Sequence, residues 1–167
     1  HSFPTRRSSD LYICLTVPFS YSQNEQYLAE LAGRVHPNIR YSDEVVAVTG
    51  EGRKVHLLTV GEGGEEGKPV VLVTARVHPG EVSSSWCVQG MLHLLLSYNN
   101  LQAYLLRRLF LFKIVPMLNP DGVAAGNYRM DPQGYNLNRF YADPLKIFLA
   151  SAGDKKCWLF ISRPFGI

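Results

Sequence analysis

The hydrophobic pattern predicts strands and helices in alternation. Residues 12–19 form an aromatic and β-branched run that Pro18 closes, a strand-like signature. Ser22 and Glu25 have capping-box spacing, Tyr27, Leu28 and Leu31 follow at helical spacing, and Gly33 supplies a stop. Residues 45–48 and 55–60 read as short strands. A polar, glycine-rich loop at 61–67 leads to a third strand at 70–76, and its length permits antiparallel pairing with 55–60. After Glu81 a helix is predicted to about Ser97, with Val88, Met91, Leu92 and Leu95 as its buried stripe. Asn99-Asn100 breaks that helix, 101–108 reads as a second short one, and 109–115 as the next buried strand. The strands 70–76 and 109–115 are apolar on both faces, as strands covered by helices on both sides are.

Candidate chemistry sits where the third strand ends, at His78-Pro79-Gly80-Glu81. Active sites of open α/β sheets lie at the carboxyl ends of strands. Pro79 fixes one φ and Gly80 tolerates a positive one, so the turn can bring both side chains to one point. Neutral imidazole and carboxylate are both zinc ligands, and a two-His, one-Glu site keeps a position open for water. A strand-to-helix turn with a helix-favouring Glu at its start has the same spacing.

Composition narrows the class. The chain has 167 residues, 46% hydrophobic and 19% charged, enough apolar material for one core. A net charge of +3 is too small to argue for nucleic acid or an acidic membrane surface. Cys14, Cys87 and Cys157 form no CxxC pair and read as reduced thiols of a cytosolic protein. No apolar run approaches the length of a membrane span. Residues 1–11, HSFPTRRSSDL, lack a Met and read as a translated sequencing adapter, so they are set aside from the fold reading.

Other polar residues have plainer readings. Arg34-Val35-His36-Pro37 repeats the letters of Arg76-Val77-His78-Pro79, but Ile39 stands where the acid should be, so His36 reads as a loop residue. His93 shares the polar face of its helix with Gln89 and Ser97, which makes it a solvated residue. Asn119-Pro120-Asp121-Gly122 reads as a turn in which Asp121 plays an Asx-type part. Arg129, Asn138 and Arg139 fall in one irregular stretch, where two guanidinium forks and an amide can hold an anionic group. Taken alone, that stretch reads as surface arginines in solvent.

In order, ARVHPGE, a helix, FKIVPMLNPDGV, GNYR and GYNLNR resemble the zinc carboxypeptidases, in particular the cytosolic carboxypeptidases that remove glutamate from tubulin. The run NLNRFYADP looks closest to the branch that removes branch-point glutamates. The resemblance implies an α/β fold, a mixed β-sheet flanked by helices, present here in truncated form. It implies a zinc cofactor with His78 and Glu81 as its first two ligands. It also implies that Arg129 polarises the scissile carbonyl, and that Asn138 and Arg139 grip the terminal carboxylate of the substrate. The implied substrate is a polypeptide with a glutamate-rich tail such as tubulin, in the cytoplasm, with no nucleic acid or membrane partner.

The departures bear on activity. The family's third ligand is a histidine beyond the NLNR motif and its general base a still later glutamate, yet no His follows His93 and no Glu follows Glu81. The expected division is residues 12–48 as the end of an amino-terminal β domain and linker. Residues 49–154 follow as the first half of the catalytic domain, and 155–167 as an unaligned tail. Two readings result: a fragment of a metallocarboxypeptidase that hydrolyses carboxy-terminal or side-chain glutamates, inactive by itself, or a non-catalytic tubulin-binding module.

Overall fold

The computed structural model describes residue 14 and residues 16–140. The adapter-like start and the tail beyond residue 140 lie outside the described residues, as do residues 12, 13 and 15 of the strand-like run at 12–19. The described residues of that run, 14 and 16–19, form no strand, so the strand expected there is not found among them. Helix α1, Tyr21–Ala32, begins two residues earlier than its sequence signature. The capping box is Ser20 with Gln23, each side chain bonded to the other's backbone N–H, and Ser22 lies inside the helix. Gly33 is the C-cap, as expected.

A four-stranded sheet follows, in the order β1-β2-β4-β3. Strands β1 (Arg40–Val48) and β2 (Lys54–Gly61) form an antiparallel hairpin. Strand β3, Val70–Thr74, does not pair with β2 as the loop length suggested. Helices α2 (Ser83–Leu95) and α3 (Leu101–Leu109) carry the chain over to β4, Leu111–Val115. Strand β4 inserts between β2 and β3, antiparallel to the first and parallel to the second.

Alternation divides the core between the sheet faces. Leu58 and Val60 of β2 and Phe112 and Ile114 of β4 pack with Leu28 of α1 and with Val88, Leu92 and Leu95 of α2. Met91 is only partly buried in that cluster, and His93 is exposed. The opposite face carries Ala47, Val55, Leu57, Val115 and Leu118. Burying Leu92 fully contributes about 1.5–3 kcal/mol, so this stripe largely decides where α2 docks. Covering of both strands on both faces holds for β4 but not for β3. At the sheet edge, Leu72 and Thr74 of β3 face solvent among the described residues. No helix among the described residues is long and apolar enough to cross a membrane.

Candidate metal centre

Because β3 and β4 are parallel, their carboxyl ends lie side by side, and both candidate motifs emerge there. The ladder continues past β3 through Ala75 N–H to the Val115 carbonyl, 2.9 Å, and Leu118 N–H returns to the Ala75 carbonyl, 2.9 Å. Asn119 then donates its backbone N–H to the Arg76 carbonyl at 3.1 Å and its side-chain amide to the Val77 carbonyl at 3.3 Å. The NPDG segment is thereby fastened to the chain entering the HPGE turn.

NPDG is a short helix, α4 (Pro120–Ala124), rather than a plain turn. Its capping residue is Asn119, whose Oδ1 accepts from Gly122 N–H at 2.9 Å. The Asx part assigned to Asp121 from sequence therefore belongs to Asn119. Asp121 is buried and accepts from Thr49 Oγ1 at 2.7 Å and Arg53 Nη1 at 2.9 Å, tying the β1–β2 hairpin to α4. The adjacent carboxylates of Glu51 and Asp121 raise the Arg53 guanidinium above its usual value.

The HPGE turn gets its shape from a residue that sequence reading passed over. Gly80 does not have a positive φ; Arg76 does, at 57°. Gly80 is needed for close approach instead: a Cβ there would lie 2.5 Å from the Tyr128 ring and 2.8 Å from its carbonyl oxygen. That carbonyl accepts from Gly80 N–H at 2.8 Å. The buried Arg76 guanidinium donates to the Pro79 and Phe19 carbonyls and to Ser85 Oγ. Burial lowers its pKa from the ordinary arginine value.

Two of the candidate site residues meet in this turn. His78 Nδ1 lies 2.7 Å from Glu81 Oε1, with the His78 side chain 8% exposed and the Glu81 side chain 53% exposed. The other ring nitrogen, Nε2, lies 3.0 Å from Asn136 Oδ1. Asn138 N–H also donates to that oxygen, at 3.1 Å, which fixes Asn136 Oδ1 as an acceptor. His78 Nε2 therefore carries the proton, and in the neutral ring Nδ1 presents its lone pair to the Glu81 oxygen. At 2.7 Å the contact has the length of a hydrogen bond, and the same two atoms are donors that a metal ion can take. An outer acceptor on the second nitrogen is the usual companion of a metal-ligating histidine. The donor pair thus suits zinc, although no group of three or more His, Cys, Asp or Glu suited to a metal occurs among the described residues.

The remaining candidates lie in the irregular segment that follows α4. Arg129 is exposed and follows Tyr128, whose carbonyl holds Gly80. Asn138 is half-buried and Arg139 exposed, both in a 3-10 turn, Leu137–Arg139, whose capping residue is Asn136. His36 stays in its loop, stacked on Tyr98 at 3.5 Å between ring centroids. Sequence reading missed Asn136, although it stands two residues before Asn138 in GYNLNR and Asn is a natural turn cap.

A sequence profile of the zinc carboxypeptidase family matches residues 25–157, and the chain belongs to that family. Among curated proteins it is 40% identical to cytosolic carboxypeptidase 2 of Danio rerio, over 81% of this chain and 19% of that protein. It is 35% identical to cytosolic carboxypeptidase-like protein 5 of Homo sapiens, over 86% of this chain and 20% of that one. The chain thus spans about a fifth of the length of these relatives. The solved metallo-carboxypeptidase of Burkholderia cenocepacia superposes with a TM-score of 0.69 at 32% identity, covering 80% of this chain and 36% of that one.

Proposed function

We propose that this chain contributes the first half of the active site of a zinc carboxypeptidase that removes glutamate from protein tails, with tubulin as the substrate class. The observation that carries the reading is the His78–Glu81 pair, set 2.7 Å apart with the second imidazole nitrogen held by Asn136. His78 Nδ1 and Glu81 would hold the zinc. When bound, zinc polarises the scissile carbonyl and lowers the pKa of a water molecule.

The chain's own residues supply positioning and charge. Arg129, exposed next to the residue that packs on the HPGE turn, donates to the carbonyl oxygen as negative charge develops on it. Asn138 and Arg139 hold the terminal carboxylate, the amide with single hydrogen bonds and the guanidinium with a two-pronged one. The cationic guanidinium of Arg139 suits a glutamate-rich tail. The cytosolic names of the relatives support a cytoplasmic setting. With two of the three ligands among its described residues, this chain by itself would be inactive.

The test is release of free glutamate from a glutamylated tubulin-tail peptide by the full-length protein. We expect zinc-dependent release that His78→Ala abolishes. Release that persists in the His78→Ala protein, or none from glutamate-ended peptides while other carboxy-terminal residues are removed, overturns the reading.

A further inference from the structure

We propose that Arg76 is the positioning residue that sets the His78–Glu81 pair for metal binding. The inference rests on the zinc reading above. Arg76 has φ 57°, the one described non-glycine residue with a positive φ. Side chains with a Cβ rarely adopt this conformation, and glycine would take it without strain. An arginine here is therefore accounted for by what its side chain reaches.

That side chain holds the turn from the inside. Nε and Nη2 both donate to the Pro79 carbonyl, at 2.9 and 2.7 Å. Nη1 donates to the Phe19 carbonyl and to Ser85 Oγ, each at 2.9 Å. Arg76 also grips the turn through its backbone. Its N–H donates to Ser84 Oγ at 3.3 Å, and Ser84 Oγ donates to the Glu81 carbonyl at 2.7 Å. One residue thus fixes the carbonyl just after His78 and, through Ser84, the carbonyl of Glu81. Arg76 is 3% exposed, and among the described residues no carboxylate pairs with its guanidinium. Its donors are spent on the turn and on the two segments that flank it, the chain before α1 and the first turn of α2. Lysine keeps the charge but cannot present two donors in a fixed fork.

The test compares Arg76→Lys, Ser85→Ala and His78→Ala in the full-length protein. The readouts are Zn2+ affinity by chelator competition, the visible spectrum of the Co2+-loaded protein, and thermal unfolding of the metal-free protein. Arg76→Lys is expected to unfold cooperatively, to lose Zn2+ affinity about ten- to a hundredfold, and to change its Co2+ bands. Its KM for a glutamate-ended peptide should stay unchanged, because Arg139 is untouched. Wild-type affinity and spectrum in Arg76→Lys overturn the proposal. If that variant does not fold, Ser85→Ala decides, since it loosens Nη1 and leaves the guanidinium in place. A severalfold loss of affinity there supports the proposal, and wild-type affinity overturns it. Unaltered Zn2+ binding in His78→Ala would instead remove the zinc reading itself.

Discussion

Gly122 is packed directly against Pro79: a Cβ built on Gly122 would lie 2.5 Å from Pro79 Cγ. It would also lie 2.7 Å from Asn119 Oδ1 and 2.8 Å from the Met130 carbonyl oxygen. Together with the Gly80–Tyr128 contact, this locks the HPGE, NPDG and GNYR motifs into one unit at the carboxyl ends of β3 and β4.

Gly122→Ala should therefore destabilise the protein by about 1–3 kcal/mol, the usual cost of overpacking, and weaken zinc binding as Pro79 is pushed aside. Gly90 is the contrast. It lies in α2 with nothing within 4 Å of a built Cβ, so Gly90→Ala should stabilise by roughly 0.5–1 kcal/mol. Denaturant unfolding of both variants checks the pair. Equal effects would show that the Gly122 contact yields without cost.

Much of this unit was legible in sequence only as letters. The buried stripe of α2 and the strand runs follow from periodicity, and Val88, Leu92, Leu95, Leu58 and Ile114 do form the core. Periodicity is local and could not show β4 entering between β2 and β3. Nor could it assign the turn conformations. The positive φ falls on Arg76 because a network of long-range acceptors holds its side chain, and Gly80 is needed because Tyr128 arrives from elsewhere. The exchange of parts between Asn119 and Asp121 has the same origin, since Arg53 and Thr49 come from a distant hairpin. His78 and Glu81 could be picked out because strand end, turn and ligand chemistry coincide there. Asn136 could not, because its part depends on contact with a residue 58 positions earlier in the chain.

Arg129 and Arg139 should separate in kinetics. Arg129 acts on charge that develops during reaction, so Arg129→Ala should chiefly lower kcat, by a loss of about 3–4 kcal/mol in transition-state stabilisation. Arg139 holds a carboxylate already charged in the ground state, so Arg139→Ala should chiefly raise KM. Steady-state rates of the full-length protein on a glutamate-ended peptide decide between them. A normal KM with collapsed kcat in Arg139→Ala reverses the two assignments.

His56 should give the fold a pH dependence. Its ring lies between Asp43, 2.7 Å from Nδ1, and Glu25, 3.2 Å from Nε2, linking α1 to the β1–β2 hairpin. The hydrogen bond to Asp43 is the largest cause of its raised pKa, with burial opposing. A histidine with a raised folded pKa adds stability that is fully present below its unfolded value, about 6.5, and is lost as pH rises through the folded value. Unfolding free energy should fall across that window, and His56→Gln should flatten the slope. An unchanged slope in the variant would assign the effect to other groups.

Tyr41 offers a gain in stability. Its Oη is the one buried side-chain polar atom without a hydrogen-bond partner among the described residues, and burial pushes the phenol up to about 12. Removing an unsatisfied hydroxyl removes its desolvation cost, so Tyr41→Phe should be neutral or stabilising by about 1 kcal/mol. A loss of stability on thermal unfolding would reveal a partner for that hydroxyl.

The central claim is that His78 and Glu81 converge on a zinc ion, with Nε2 of the imidazole turned away toward Asn136. Anomalous diffraction at the zinc edge from crystals of the zinc-loaded full-length protein tests it most directly. A peak is expected about 2.0–2.2 Å from His78 Nδ1 and from a Glu81 carboxylate oxygen, with the Nε2–Asn136 hydrogen bond retained. A zinc ion bound through Nε2, or one held by other residues while His78 and Glu81 remain bonded to each other, would contradict it.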